Sequence, residues 1–246
     1  MVKVFCQNLG KYNEGQIVGD WIQLPTTNVK IDEFLKDVVG LNEEYEEYMI
    51  ADYDLSEKLS FIPKDEYCNI HDLNLLAKQI SMISQHDLRA VSLYMQDAYD
   101  FELEEILNVC VQKNKLVYFD YDFEGAHQMM NRGVSEEKML GYQLANNNGL
   151  TRALKRYDVD YCFDFEKYGL DQSIDLNIAY TKEGYLRSED CSVDVKRYSM
   201  DELYEMIDKE YDDSISLNNR INSVCCNKEN LEDKVIAVYN LEEQER

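Results

Sequence analysis

Residues 2–24 read VKVFCQNLGKYNEGQIVGDWIQL, and they carry a clear β-hairpin signal. Residues 2–6 and 16–24 are rich in β-branched, aromatic and apolar side chains, which is typical of strands. Between them, residues 11–15 include the Asn and Gly that favour a hairpin connection. This stretch therefore predicts two paired strands at the start of the fold.

The residues that follow complete a small mixed unit. An apolar stripe at helical spacing is formed by Ile31, Phe34, Leu35 and Val38. Gly40 lies where such a helix would end, and residues 48–53 predict another strand. Residues 1–62 therefore predict an N-terminal α+β domain.

Helical patterns dominate the middle of the chain. Apolar stripes predict helices around residues 73–83, 88–95 and 103–111, so residues 63–114 are expected to form a helical domain. Residues 115–189 predict a second α+β domain. Its expected elements are a strand at 116–119, helices near 135–146 and 150–157, a strand over 174–180 and a last strand after a turn at 182–184.

The final tract, residues 190–246, predicts a folded, acidic C-terminal extension. Ser199 and Glu202 fit a capping box, and the apolar stripe continues along the helix through Leu203, Ile207 and Tyr211. Residues 231–241 favour a strand. The whole pattern predicts an α+β protein built as an elongated array of small domains.

Acidity is the main clue to function. The chain of 246 residues has 49 Asp and Glu against 25 Lys and Arg, a formal charge of −24. The excess is spread over all four tracts, which have net charges of −7, −5, −4 and −8. Such a charge repels nucleic acid and anionic membranes, and it favours a basic partner.

Other general features indicate a soluble protein of the cytoplasm. The chain has no basic segment followed by an apolar leader, and no apolar run of about 18 residues. Its seven cysteines are odd in number and are scattered, apart from Cys225 and Cys226. This usage fits a reducing compartment.

Signs of catalysis are sparse. Residues 120–125 place acids at positions 1, 3 and 5 and Gly at position 6 of a calcium loop, but Asn131 stands where a bidentate Glu is needed. His71, His86 and His127 are dispersed along the chain and form no zinc cluster with the cysteines. No Walker, nucleophile-elbow or dinucleotide motif occurs. We therefore predict no catalytic residue, no metal and no cofactor.

Tyrosines and acids alternate repeatedly, as in Glu44-Tyr45-Glu46 and Asp52-Tyr53-Asp54. Each such group alone is adequately explained as a half-buried tyrosine among solvated acids. Their repetition favours an anionic surface that a basic cleft can grip. The candidate partner-binding carboxylates are Glu43, Glu44, Glu46, Glu47, Asp52, Asp54, Asp97, Asp100, Glu102, Glu104, Glu105, Asp120, Asp122 and Glu124.

An ordered set of short motifs resembles the ArdA-type antirestriction proteins. Tyr12-Asn13-Glu14-Gly15 and Gly19-Asp20-Trp21 are similar to the family's "YN-x-G" turn and "G-x-W" strand, and Asp52-Tyr53-Asp54 to its "D-Y-E" strand. Residues 163–171, FDFEKYGLD, resemble "F-D-x-E-x-Y-G-R-D", with Leu170 in place of Arg. Gly184-Tyr185 resembles the terminal "G-Y" strand. The resemblance covers residues 1–189.

The resemblance implies an elongated, curved α+β molecule that dimerises through its third domain. It implies that the protein mimics duplex DNA and occupies the DNA groove of type I restriction–modification enzymes in a bacterial cell. Such proteins are carried by phages, plasmids and conjugative transposons. The homodimer's contact is expected within residues 115–189, the least negative tract, which includes Arg152, Lys155 and Arg156.

Three other functions stay open at this point. The mimic could act on another basic DNA-binding defence complex, such as a CRISPR effector. A metal-dependent hydrolase is an alternative that rests on the 120–125 loop alone. An acidic adaptor or chaperone for a basic protein is the third.

Overall fold

The computed structural model of the chain describes residues 1–96, 101–191 and 197–217. Over these residues the protein is mixed α+β, with two three-stranded antiparallel sheets and a series of helices. The predicted α+β class is confirmed. The division into four domains and their elongated arrangement stay predictions.

The first sheet contains β1 (Val2–Asn8), β2 (Gly19–Leu24) and β3 (Tyr48–Leu55). β1 lies in the centre and pairs antiparallel with both neighbours. Its alternate residues Val2, Val4 and Cys6 are buried, so one face of the sheet covers the core while the other faces outward.

The connection between β1 and β2 is helical. The predicted hairpin pairing is confirmed, but residues Leu9–Asn13 form a one-turn helix, α1, where a simple turn was expected. The side chain of Asn8 accepts a hydrogen bond from the Lys11 N–H at 2.9 Å and so caps the turn. Gly15 then takes a φ of +81°, which glycine adopts without a steric penalty.

Four helices match the predicted stripes of the first two tracts. They are α2 (Asn28–Asp37), α3 (Ile70–Met82), α4 (Gln85–Tyr94) and α5 (Leu103–Val111). The side chains of Thr27, Asn69 and Ser84 cap the first three by accepting backbone N–H groups. Because these stripes are long and strongly periodic, local pattern was sufficient to predict the helices.

The second sheet contains β4 (Tyr118–Asp120), β5 (Ile178–Tyr180) and β6 (Gly184–Arg187), with β6 in the centre. Between β4 and β5 the chain forms α6 (Ala126–Asn131), α7 (Glu136–Asn147), α8 (Leu150–Arg156) and α9 (Phe165–Asp175). The three strands of this sheet and the helices that connect them therefore all lie within residues 118–187.

The predicted strand over residues 174–180 is wrong in its first half. Ile174 belongs to the last turn of α9, where its side chain is 73% exposed, and Asn177 reverses the chain with a φ of 47°. The apolar residues at 174, 176, 178 and 180 alternate as in a strand, but the first lies in α9 and only the last two lie in β5. Packing of α9 against α7 overrides the local pattern.

A direct contact between two glycines holds α7 and α9 together. A Cβ atom built on Gly141 would collide with the carbonyl oxygen of Phe165, and one on Gly169 would collide with that of Glu137. The two helix backbones therefore touch at this crossing. Only glycine has a side chain small enough for either position.

Buried side chains form two core clusters. The larger includes residues from the first sheet, from α3 to α5 and from the helix at 200–217, for example Val4, Leu76, Ile106 and Ile207. The smaller lies against the second sheet and includes Phe123, Met139, Leu140, Ile178 and Tyr185.

Residues 200–217 form a helix, α10, that packs on the middle of the chain. The predicted capping box is present, with the Glu202 carboxylate accepting the Ser199 N–H at 2.9 Å. Leu203 and Ile207 are fully buried, and Asp208 pairs with Lys78 at 2.8 Å. The predicted strand at 231–241 and the Cys225–Cys226 pair lie outside the described residues.

In the described ranges, no helix is both long enough and apolar enough to cross a membrane.

We expect Gly141→Ala and Gly169→Ala each to lower the free energy of unfolding by at least about 1–3 kcal/mol, the usual cost of overpacking. The added methyl group must push two helix backbones apart. Urea denaturation measures the effect. Gly133→Asn is the control, because the added Cβ meets no other atom within 4 Å and Asn is one of the few residues that tolerate a φ of +68°. Equal stability of Gly141→Ala and the control would contradict the close contact.

Two adjacent residues of α10 test its docking. Ile207→Ala should lower the free energy of unfolding by about 2–5 kcal/mol, since it leaves a cavity in the larger core. Met206→Ala should change it by less than about 0.5 kcal/mol, because Met206 is 40% exposed. Thermal or urea unfolding of the full chain gives both values. Similar small losses in the two variants would show that α10 does not pack as described.

Candidate functional site

The densest group of candidate acids lies on the loop before β3. Glu43, Glu44, Glu46 and Glu47 are all exposed. The loop is held by Asn42, whose side-chain oxygen accepts the N–H groups of Glu44 at 2.8 Å and Tyr45 at 3.2 Å. Four carboxylates are thus presented to solvent from a hydrogen-bonded turn.

Tyr45, in the middle of these glutamates, is anchored on the β1–β2 connection. Its hydroxyl accepts a hydrogen bond from Lys11 Nζ at 2.6 Å and donates one to Glu14 Oε1 at 2.7 Å. These bonds raise the pKa of Lys11 and lower the pKa of Glu14. Gly10 lies against the Tyr45 ring, where a Cβ atom would clash. The Lys11 charge is therefore held at the base of the loop by Tyr45 and Glu14.

Asp52 and Asp54 continue the acidic surface along β3. Both are exposed and point away from the core, while Tyr53 between them points inward and donates a hydrogen bond to the Asp65 carbonyl at 2.6 Å. Burial raises the pKa of Tyr53. The alternation of a strand therefore places the two aspartates side by side on the outer face.

Three acids of α5 have structural roles. Glu102 and Glu105 form the capping box that starts the helix. Glu105 also pairs with Arg197 at 2.6 Å, and Glu104 lies 3.9 Å from the same guanidinium. Glu104 and Glu105 attach the chain before α10 to α5, so their charge is partly neutralised. Asp97 and Asp100 lie outside the described residues.

The acids after β4 are divided between internal contacts and solvent. Asp120 lies 3.5 Å from Arg89, which also pairs with Glu183, so this aspartate helps attach α4 to the second sheet. Asp122 accepts a hydrogen bond from Gln143 and is still exposed. Glu124 is exposed. Asp122 and Glu124 are therefore more accessible to a binding partner than Asp120, which is paired with Arg89.

Groups that could act in catalysis or metal binding are dispersed. Burial raises the pKa of Cys6 and of Cys110 to about 12, so both thiols are protonated at neutral pH. His71 pairs with Asp32 at 3.2 Å. In the part of the chain that the structure describes, no three His, Cys, Asp or Glu side chains are gathered to hold a metal ion.

Sequence reasoning missed the basic residues that organise these acids. Arg197 contacts Glu105 across 92 positions, and no local pattern indicates such a pair. The Lys11–Tyr45 contact spans 34 positions. A signal was available for Phe5 and Trp21, because counting across the predicted hairpin places them opposite each other.

Comparison with protein families gives a match over residues 4–187. The matching family model is described as "Antirestriction protein (ArdA)" and covers about three quarters of the chain. It includes both sheets and helices α1 to α9, and it ends before α10. A comparison with curated proteins found no match.

Proposed function

Because the chain belongs to the ArdA family of antirestriction proteins, we propose that it blocks type I restriction–modification enzymes by occupying their DNA-binding groove. In this proposal the protein mimics the charge of duplex DNA and performs no catalysis. The observation that carries it is the set of six exposed carboxylates between Glu43 and Asp54.

The total charge is of the right size for this role. Duplex DNA carries one negative charge per about 1.7 Å of its axis, so 24 net charges correspond to about 40 Å of duplex. Two copies would supply about 80 Å. Since the groove of a DNA-modifying enzyme binds phosphates through Lys and Arg, a surface with this charge can compete for the same side chains.

The local spacing also supports mimicry. Residues 48–54 of β3 extend about 20 Å at about 3.3 Å per residue. One DNA strand has about six phosphates over that length, at about 3.4 Å each along the axis. Within that length β3 presents Asp52 and Asp54, which are two residues and so about 7 Å apart, close to two phosphate steps along one DNA strand. The loop before β3 adds Glu43, Glu44, Glu46 and Glu47.

Neutralising the loop tests this proposal. Each single Glu→Gln change at 43, 44, 46 or 47 should weaken inhibition of a purified type I methyltransferase by less than about fivefold, because an exposed charge contributes about 0.2–1 kcal/mol. The quadruple variant should weaken it at least about tenfold. Inhibition is measured as displacement of labelled duplex DNA, and it should fall steeply as salt rises.

The double variant Glu104→Gln/Glu105→Gln is the control for charge alone. It removes two negative charges that Arg197 already neutralises in part, so it should lower the melting temperature and change inhibition less than Glu44→Gln/Glu46→Gln. Full inhibition by the quadruple variant would contradict mimicry by this loop. Complete loss from one Glu→Gln change would indicate a site of another kind.

We also propose that two copies of the chain associate through residues 115–189. Five exposed apolar side chains lie within 18 residues there, which makes this stretch the best candidate for a contact: Tyr157, Val159, Tyr161, Leu170 and Ile174. Leu170 and Ile174 lie one turn apart on α9. The preceding helix, α8, has three exposed basic residues, namely Arg152, Lys155 and Arg156. Their positive charge reduces the repulsion between two acidic chains.

The double variant Leu170→Asp/Ile174→Asp tests the dimer. It should shift the protein from dimer to monomer in light scattering at micromolar concentration, because charge replaces the apolar contact. Ile215→Asp, at a similarly exposed position on α10, should leave the dimer intact. A wild-type monomer, or a dimer that survives the double change, would contradict the proposed contact.

A further inference from the structure

The outer face of the first sheet combines aromatic and acidic side chains. In the register of the sheet, Phe5 lies between Trp21 on β2 and Asp52 on β3. Two positions earlier on β1, Lys3 lies between Gln23 and Asp54. Because alternate residues of a strand share a face, these two rows lie side by side. We call Lys3, Phe5, Trp21, Asp52 and Asp54 the Trp21 face.

The aromatic pair on this face lies outside the core clusters. The Phe5 and Trp21 rings meet edge to face, with centroids 5.6 Å apart and an interplanar angle of 68°. Both side chains are half-buried, whereas Val4 and Ile22 next to them point into the larger core. A tryptophan that keeps part of its ring accessible on the same sheet face as two exposed carboxylates is a favourable place for a partner to bind.

A cation already occupies the ring face. Lys3 Nζ lies 5.2 Å from the centroid of the Trp21 ring, which is within the range of a cation–π contact. The ammonium group is a compact, well-hydrated charge on a flexible stem. An arriving planar guanidinium can displace it, since such a group stacks on an aromatic ring and pairs with a carboxylate in a bidentate manner.

We propose that the Trp21 face binds an arginine side chain in the DNA-binding groove of the inhibited enzyme. The guanidinium stacks on Trp21 and pairs with Asp52 or Asp54. This inference rests on the proposed function, and it adds a specific anchor to a surface that otherwise binds by distributed charge. Charge complementarity identifies the occupant, because arginine is a usual phosphate and base ligand in such grooves.

Trp21 itself reports on the binding, because it is the only tryptophan of the chain. The probes are hexa-arginine and hexa-lysine peptides, which carry equal charge and differ in their ability to stack. We expect hexa-arginine to change Trp21 fluorescence saturably and to bind at least about threefold more tightly than hexa-lysine. Equal affinities, or a fluorescence that does not respond to hexa-arginine, would overturn the proposal.

Substitutions of Trp21 test whether the Trp21 face contributes to inhibition of the enzyme. Trp21→Leu should weaken inhibition of the type I methyltransferase at least about fivefold and should abolish the preference for arginine, while Trp21→Phe should retain most of both. Because these variants lack the fluorescent reporter, peptide binding to them and to the wild-type protein is compared by isothermal titration calorimetry. Tyr67→Leu, at another exposed aromatic residue, is the matched control and should change neither. Melting temperatures identify a variant that has lost its fold, in which case the peptide titration of the wild-type protein decides.

The two proposals fail in different ways. If Trp21→Leu inhibits like the wild type while the quadruple glutamate variant is weakened, the Trp21 face is not an anchor and mimicry stands. If neither variant changes inhibition, the proposed function fails as well. If hexa-arginine binds and Trp21→Leu alone is weakened, the face acts as an anchor without distributed mimicry.

Discussion

Repulsion between like charges is the force that this fold has to overcome. With 49 acids and 25 bases, at least 24 carboxylates have no cation of their own, and compaction brings them closer together. Three basic residues are placed where separate parts of the chain meet. Lys78 joins α3 to Asp208 of α10, Arg197 joins the segment before α10 to α5, and Arg89 joins α4 to the second sheet. The surface between these contacts is left acidic.

This distribution separates acids that build the fold from acids that are free to act outward. Glu105 and Asp120 each face a cation, and their removal affects the structure first. The glutamates around Tyr45 differ, because the nearby cation Lys11 is held by Tyr45 and Glu14 below the loop. The same composition therefore supplies both internal ties and an open anionic surface.

The local sequence pattern predicted most of the helices and strands but few of the contacts between distant side chains. The stripes of α3 and α5 and the alternation of β1 depend on neighbouring residues, so they could be recognised without knowledge of the fold. The end of α9 was mistaken for a strand because its position is decided by Gly169 against α7, a contact over 28 residues. For the site, exposure of the loop glutamates and of Asp52 and Asp54 follows from sequence. The partnership of Glu105 with Arg197 does not, since it forms only when α10 docks.

The larger core also has a consequence for synthesis of the protein. It includes both Val2 and Ile207, which are 205 positions apart in the chain. At about 5–20 residues per second, Ile207 is made about 10–40 s after Val2. In the later part of that interval, after α5 has been made, the first sheet and helices α3 to α5 exist without the helix that completes their packing. The nascent chain therefore leaves part of an apolar surface uncovered, and the dense negative charge around it opposes contact between neighbouring chains on the same messenger.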